Sequence, residues 1–320
     1  MTEPSAAARQ GTVLAIDVGG TKLAVGIVGH DGRVLERSRT PTPARAGGEA
    51  ETLWSALERA VSALPGVERV TAVGVGCGGP MSWPAGRVSP LNIPAWREFP
   101  LRQRLQERFP DVPVRLHNDA VCFVAAEHWQ GAGVGVDNML GMVVSTGVGG
   151  GVVLGGRLID GHTGNAGHVG HVVVDPSGPP CTCGGRGCLE AIARGPAVVA
   201  WAVQNGWRPS GDGSASALAA DARVGDRVAV AAFERAGRAV GIALASTAAL
   251  LDVALVVVGG GLIQTGELLF GPIRVALQSH AQMDFVRDLK VVPAELGQDA
   301  GLVGAAALVL EGERYWSASG

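Results

Sequence analysis

Charge is scarce in this chain. Only 17% of its 320 residues are charged, and the formal net charge is -3, so no basic face is indicated. We therefore do not expect a nucleic-acid partner captured by bulk electrostatic attraction.

Long apolar runs and a secretory leader are also missing. No apolar stretch reaches the roughly 20 residues that a transmembrane helix needs, and the N-terminus lacks the basic start and long apolar segment of a signal peptide. We expect a cytoplasmic protein with no membrane partner. Hydrophobic residues make up 47% of the chain and mean hydropathy is +0.25, which is enough apolar material for two domains with buried cores.

Cysteine is sparse, yet three of the five cysteines fall in one short stretch. Cys181, Cys183 and Cys188 follow His171 within 17 residues, and glycines lie between them. Three thiolates and one imidazole are the ligand set of a closed tetrahedral zinc site. The spacing therefore predicts a structural zinc site, whereas Cys77 and Cys122 lie in apolar surroundings and are predicted to pack in the core.

Strands and helices are predicted to alternate after a disordered tail at residues 1–11. The patterns predict strands at 12–17, 23–28, 33–38, 70–76, 139–145, 151–154 and 254–258, and helices at 49–64, 101–109 and 228–251. This alternation is typical of α/β layers. The order of strand, glycine-rich turn and strand at 12–28 recurs at 139–154, which indicates two related halves.

Three glycine-rich turns follow predicted strands and are candidates for binding phosphate through backbone N–H groups. For the first, a plain hairpin turn is the alternative, and its spacing is neither that of a P-loop nor that of a Rossmann unit. The third is predicted to open a helix whose N-terminus suits a nucleotide. The candidate residues are Asp17, Gly19, Gly20, Thr21 and Lys22; Thr146, Gly147 and Gly149; and Gly260 and Gly261.

Other polar residues have two interpretations each. Asp119, where a strand leads into a helix, is either a helix cap or the base that accepts a proton from a substrate hydroxyl. Asn92 lies in a proline-bracketed loop that is either a rigid turn over Trp96 or a contact to a sugar hydroxyl. Glu190 is either a solvated helix residue or a ligand contact. His128 and His162 are assigned no role.

Taken together, five motifs resemble the ROK family of repressors, open-reading-frame proteins and sugar kinases over residues 12–312. The resemblance rests on Asp17-x-Gly-Gly-Thr-Lys22, Asn118-Asp119, residues 145–151, Gly170-His171 and Cys181-x-Cys183-x4-Cys188-x-Glu190. It implies an α/β, actin-like ATPase (ribonuclease H-like) fold with two domains around a central cleft that binds ATP and sugar. The implied domains are a small one at 12–118 with a C-terminal helix at about 300–320, and a large one at 119–299 with the zinc loop at 171–188. A homodimer is also implied.

The resemblance further implies roles for individual residues. Asp119 is the expected catalytic base, Mg²⁺ is expected near Asp17, and His171 is expected both to ligate structural Zn²⁺ and to face the sugar. The expected substrate-binding residues are Gly79, Asn92, Asn118, Asp119, His168, His171 and Glu190.

The family also contains repressors, which carry a helix-turn-helix domain ahead of the first phosphate strand. Only about eleven residues precede Thr12, too few for two packed helices, so we expect a kinase rather than a DNA-binding protein. A non-catalytic sugar sensor is a third possibility, and the presence of Asp119 and all three turns argues against it.

Residue 168 is the candidate determinant of which sugar is bound. Glucokinases of the family carry glutamate at this position. The histidine found here resembles the pattern of the bacterial N-acetylmannosamine kinases. A neutral imidazole offers one donor and one acceptor, and an N-acetyl carbonyl needs a donor. We therefore expect N-acetylmannosamine as the substrate; the alternative is a glucokinase in which His168 is neutral drift.

Overall fold

The computed structural model describes residues 11–43 and 49–316, so the predicted tail lies outside the described residues except for Gly11. The strands are β1 (Val13–Val18), β2 (Lys22–Val28), β3 (Val34–Pro41), β4 (Ala72–Cys77), β5 (Met81–Ser82), β6 (Arg87–Val88), β7 (Val114–Asn118), β8 (Met139–Val144), β9 (Val148–Leu154), β10 (Arg157–Leu158), β11 (Leu255–Gly259) and β12 (Lys290–Pro293).

The helices of this part of the chain are α1 (Ala50–Ser62), α2 (Leu101–Arg108), α3 (Asp119–Gln130), α4 (Leu189–Ala193), α5 (Gly195–Gln204), α6 (Ala215–Arg223), α7 (Arg227–Leu251), α8 (Glu267–His280), α9 (Asp284–Arg287), α10 (Ala300–Leu310) and α11 (Gly312–Tyr315). Short 3₁₀ segments cover Val67–Arg69, Val169–His171, Gly261–Thr265 and Gly297–Asp299. Among these residues no helix is both long and apolar enough to cross a bilayer.

Two five-stranded sheets share one topology. The first has the order β3-β2-β1-β4-β7 and the second β10-β9-β8-β11-β12. In each, the two strands at one edge (β2 and β3, β9 and β10) pair antiparallel, and the other three (β1, β4 and β7; β8, β11 and β12) pair in parallel. The shared order agrees with the two related halves indicated by the sequence, since strand order is set by how successive segments pair.

Strands β1, β2 and β4 of the first sheet are buried on both faces, whereas the edge strand β3 is largely exposed. One face packs with α1 and α2 around Trp54, Leu57 and Leu101, and the other packs against Leu302, Ala305 and Ala306 of α10. Parallel strands covered on both faces read as continuous apolar runs, which is why β1 and β4 were recognisable in the sequence.

Helix α10 approaches its neighbours closely. A Cβ at Gly74 in β4 would lie 1.8 Å from the carbonyl oxygen of Ala305, and one at Gly304 would lie 1.7 Å from the carbonyl oxygen of Cys122 in α3. Both positions therefore require glycine.

The chain forms two compact units. The first combines residues up to 137 with 152–167 and those from 295 onward, and the second combines 138–151 with 168–294. Helix α3 and the segment from 295 thus group with the first sheet. The predicted division into 12–118 plus the C-terminal helix, and 119–299, remains a prediction about domains, and residues 317–320 of that helix lie outside the described part.

Candidate active site

The turn after β1 is a hairpin. Gly19 N–H donates to the carbonyl of Lys22 at 3.0 Å, and the Thr42 hydroxyl donates to the carbonyl of Gly19 at 2.7 Å. A Cβ at Gly20 would lie 2.5 Å from the Asn92 side-chain nitrogen. The predicted phosphate turn and the predicted sugar residue Asn92 are therefore neighbours, and glycine at position 20 is what allows the contact. Thr21 and Lys22 are exposed on the same turn.

Sheet register places the two candidate carboxylates at one edge. Val18 of β1 pairs with Cys77 of β4, and Cys77 pairs with Asn118 of β7, all in parallel. Asp17 and Asp119 flank this row. Because carboxyl ends of neighbouring parallel strands meet at one edge, a residue near the chain start and one a hundred positions later share a site.

Asp119 is not the cap of α3. The N-cap is Asn118, whose Oδ1 accepts from the N–H of Ala120 at 2.9 Å. Asp119 is the first helical residue, and its own Oδ1 also accepts from the N–H of Ala120 at 2.9 Å. The capping role weighed for Asp119 thus belongs to Asn118.

The two carboxylates are electrostatically coupled. Burial raises the pKa of Asp17 from 3.8 to about 7, and the charge of Asp119 adds to the rise, whereas Lys22 and Arg39 oppose it. Burial also raises the pKa of Asp119, and the Ala120 N–H partly offsets this. A carboxylate with a raised pKa holds a proton more strongly, as a general base should.

The loop between β4 and α2 carries Gly79 and Asn92. The Leu91 N–H donates to the carbonyl of Gly79 at 3.3 Å, which ties the start of the loop to the segment that carries Asn92. Trp96 is fully buried, stacks on Phe99 at 4.3 Å and donates to the carbonyl of Ala50 at 3.1 Å. Packing explains Trp96, while Asn92 is exposed beside Gly20.

The second unit holds the other two glycine turns. The Ser145 N–H donates to the carbonyl of Gly147 at 2.9 Å, closing the β8–β9 hairpin, with Thr146 exposed at its tip. Gly149 lies within β9 rather than in the turn. The predicted strand started too late, at residue 151, because consecutive glycines resemble a turn in sequence even where they pair in a sheet.

The Gly260–Gly261 turn lies beside that hairpin because β11 pairs with β8. Gly260 has φ +95°, and a Cβ there would lie 2.4 Å from the Val144 carbonyl oxygen. A Cβ at Gly261 would lie 3.5 Å from the Ser145 hydroxyl. The sequence predicted that this turn opens an α-helix. Instead, Gly261 begins a 3₁₀ segment, and α8 begins only at Glu267.

Glu190 contacts the β8–β9 hairpin. It lies in α4, directly after the last candidate zinc ligand, and its Oε2 accepts from the N–H of Val148 at 2.9 Å. A Cβ at Gly147 would lie 3.0 Å from the same oxygen. Glu190 is therefore not simply a solvated helix residue.

His171, Cys181, Cys183 and Cys188 converge, with all four ligand atoms within 4.8 Å of one another. The Cys181 Sγ lies 3.7 Å from the His171 Nδ1, and the Cys183 Sγ lies 3.7 Å from the Cys188 Sγ. Zn–S bonds of about 2.3 Å in a tetrahedron place sulfurs about 3.8 Å apart. The donor set and its spacing fit Zn²⁺.

His168 is close to this cluster. It precedes the 3₁₀ segment Val169–His171, and its ring stacks on that of His171 with centroids 6.1 Å apart. His168, on which the expected choice of sugar depends, thus lies beside a candidate metal ligand.

One histidine was missed in the sequence. His117, just before Asn118, is only 1% exposed and bonds to Asp160 through Nε2 at 2.9 Å. Its position next to Asn118-Asp119 was a usable signal, but Asp160 is 43 residues away and carries no motif.

Known proteins resemble the chain over nearly its whole length. The family model described as "ROK family" matches residues 13–312. The chain is 36% identical to a glucokinase of Thermotoga maritima over 93% of this chain and 97% of that protein. It is 38% identical to an N-acetylmannosamine kinase of Escherichia fergusonii over 95% and 99%. The crystal structure of a ROK family glucokinase from Streptomyces griseus, in complex with glucose and AMPPNP, superposes with TM-score 0.82 at 35% identity, covering 93% and 99%. These matches confirm the actin-like ATPase fold, and the chain belongs to the ROK family, among its sugar kinases.

Proposed function

We propose that the protein transfers the γ-phosphoryl group of ATP to the 6-hydroxyl of a hexose, most readily N-acetylmannosamine. The observation that carries the proposal is the placement of Asp119, a carboxyl with a raised pKa, at the same sheet edge as the Asp17 turn. The relatives of this chain include a glucokinase and an N-acetylmannosamine kinase, which supports sugar phosphorylation in general.

Asp119 would accept the proton of the sugar hydroxyl as its oxygen attacks phosphorus. Asn118 holds Asp119 at the first position of α3 by capping the helix. Asn92 and Gly79 would contact other sugar groups from their shared loop. Phosphoryl transfer needs little covalent help from the protein, so orientation of the hydroxyl is the main contribution of these residues.

The glycine turns would bind the phosphates. Backbone N–H groups at Gly19 and Gly20 can offset phosphate charge, and Asp17 offers the hard oxygen donors that Mg²⁺ prefers. Bound there, Mg²⁺ would neutralise charge on the phosphate oxygens. In the second unit we assign the nucleotide to the adjoining turns at Thr146-Gly147 and Gly260-Gly261.

Binding zinc would also fix which ring nitrogen of His171 can donate a hydrogen bond. The Nδ1 atom faces the Cys181 thiol, so zinc bound through Nδ1 leaves the proton on Nε2. Nε2 then becomes an obligate donor, which suits a sugar hydroxyl oxygen. We propose structural Zn²⁺ at this cluster, with Glu190 and His168 as further sugar contacts. Unpaired thiolate ligands agree with the cytoplasmic location we propose, and we propose a homodimer.

The choice of N-acetylmannosamine rests on His168, whose imidazole can donate to an N-acetyl carbonyl as a glutamate cannot. Glucose is the second candidate, because the chain is 36% identical to a glucokinase and 38% identical to an N-acetylmannosamine kinase. The experiment is a coupled assay of kcat/KM with Mg-ATP for N-acetylmannosamine, glucose, N-acetylglucosamine and mannose. A preference of about 10-fold or more for N-acetylmannosamine supports the proposal. A preference for glucose would make His168 neutral drift, and no turnover would favour a sensor.

A variant tests the base. Asp119→Asn should retain the fold and sugar binding yet lose turnover by several orders of magnitude, because the amide cannot accept the proton. Near-normal turnover would remove Asp119 as the base.

A further inference from the structure

His117 has both ring nitrogens engaged. The Asn118 N–H donates to His117 Nδ1 at 2.8 Å. A backbone N–H can only donate, so Nδ1 carries no proton, and the remaining proton of a neutral ring lies on Nε2. Nε2 therefore donates to Asp160 Oδ1, 2.9 Å away. The two contacts fix one tautomer and one orientation of a ring that directly precedes the Asn118–Asp119 pair.

The second oxygen of Asp160 is also used. Trp316 Nε1 donates to Asp160 Oδ2 at 2.6 Å, so one carboxylate joins two rings. The Trp316 ring stacks on His117 with centroids 6.2 Å apart and an interplanar angle of 21°. The Trp83 ring lies 5.7 Å from His117. His117 is thus enclosed by aromatic rings as well as hydrogen-bonded.

The segment at residues 160–165 has a second anchor. Asn165 Oδ1 accepts from the N–H of Met81 at 3.0 Å, and Asn165 Nδ2 donates to the carbonyl of Met81 at 2.8 Å. Met81 lies two residues after Gly79, and His117 lies two residues before Asp119. One short segment therefore attaches both to the loop between β4 and α2, which carries Gly79, and to the end of β7, which leads into Asn118 and Asp119.

We propose that Asp160 and Trp316 are positioning residues that hold His117, and through it the Asn118–Asp119 backbone, in the orientation needed for phosphoryl transfer. The proposal rests on the proposed function, in which Asp119 is the base. None of the three residues needs to touch the reacting atoms. Their effect comes from the steep dependence of transfer on alignment, since a displacement of about 1 Å can cost about 100-fold in rate.

Two variants remove single bonds. Trp316→Phe deletes the indole donor and keeps an aromatic ring against His117. Asp160→Asn keeps one acceptor oxygen but turns an amide N–H₂ toward a donor, so one of the two bonds is lost. Both are expected to lower kcat about 10- to 100-fold while KM for sugar and for ATP changes by less than about threefold. Asp160→Glu, which retains both acceptor oxygens, is expected to recover part of kcat.

A matched control exists in the second unit. Trp207 Nε1 donates to Asp221 Oδ2 at 2.9 Å, the same kind of indole–carboxylate bond. Trp207→Phe is expected to lower the melting temperature by an amount similar to that of Trp316→Phe with kcat unchanged. This comparison separates a positioning effect from general loss of stability.

The outcomes are distinct. If Asp119→Asn abolishes turnover while folded Trp316→Phe and Asp160→Asn keep wild-type kcat, the positioning proposal is overturned and the kinase assignment stands. If Asp119→Asn keeps turnover, the proposed base is wrong instead. Should Asp160→Asn fail to fold, Trp316→Phe decides alone, and a rise in KM with unchanged kcat also overturns the proposal.

Discussion

Replacing Asp17 by asparagine should stabilise the protein at alkaline pH while removing its activity. The pKa of Asp17 is about 7 in the fold against 3.8 for the free side chain, mainly through burial and secondly through Asp119. A raised carboxyl pKa means that the folded state favours the protonated form. The contribution of Asp17 to the free energy of unfolding is therefore fully present below the unfolded pKa of 3.8, and it is lost as the pH rises through the folded pKa of about 7.

The size of the effect follows from the shift. A rise from 3.8 to about 7 corresponds to about 4 kcal/mol at most above pH 7, since each pKa unit is worth about 1.36 kcal/mol. The Asp17 side chain is partly exposed, and solvation reduces the cost, so we expect about 2 kcal/mol. At pH 5 most of the cost is absent because the folded carboxyl is still protonated. Asparagine carries no charge and avoids the cost at every pH.

The assay is thermal unfolding of wild type and Asp17→Asn at pH 5 and pH 8 without nucleotide. The melting temperature of the variant should exceed that of wild type by about 4–8 °C at pH 8 and by clearly less at pH 5. Asp221→Asn is the control, and it should lower the melting temperature instead of raising it. The Ser210 hydroxyl and the Trp207 N–H lower the pKa of Asp221, so the folded state favours its ionised form, which asparagine lacks. An equal difference at both pH values, or a less stable Asp17→Asn at pH 8, would refute the reasoning.

Three further predictions concern other parts of the chain. Cys183→Ser should lose bound zinc by elemental analysis and lower the melting temperature; equal stability with no zinc in either protein would contradict this. Glu127→Gln should cost about 2–4 kcal/mol in denaturant unfolding, because the buried Glu127 accepts from the N–H groups of Ala132, Glu295 and Leu296; unchanged stability would show that these bonds contribute little. Gly20→Ala should raise KM for the sugar about 10-fold by displacing Asn92, whereas Gly271→Ala, whose nearest neighbour would be 3.8 Å away, should not; equal KM values would disprove the contact.

Much of the fold was predictable from the sequence because its signals are local. The apolar runs of β1, β4 and β11 and the length of α7 are visible as patterns, and the predicted bounds differ from Val13–Val18, Ala72–Cys77, Leu255–Gly259 and Arg227–Leu251 by one or two residues. The start of β9 was wrong because glycines within a strand carry no apolar pattern. No local pattern specifies that residues 152–167 group with the first compact unit, because that unit joins segments distant in sequence.

The candidate site also contains features that the sequence could predict and features that it could not. The four candidate zinc ligands were predictable because they lie within 18 residues and have a characteristic spacing. The capping role of Asn118 was not, since Asn and Asp are both favoured caps and only geometry decides which side chain accepts the helix N–H. The Glu190 contact to Val148 and the His117 contact to Asp160 join residues 42 and 43 positions apart, and no local pattern specifies such pairs.

The two sheets have the same topology but carry different functional residues. Strands β7 and β12 hold the same final position in their sheets, yet β7 leads into Asn118 and Asp119, whereas β12 ends at Pro293 with no such pair behind it. The cysteine loop and α4 follow the hairpin of the second sheet, while the first sheet has α1 after its hairpin. The repeated architecture therefore supplies strand ends and glycine turns twice, and the function follows from the residues placed on one copy and not on the other. Exchanging scaffold residues between the halves should alter stability, whereas the reaction depends on the few side chains that the halves do not share.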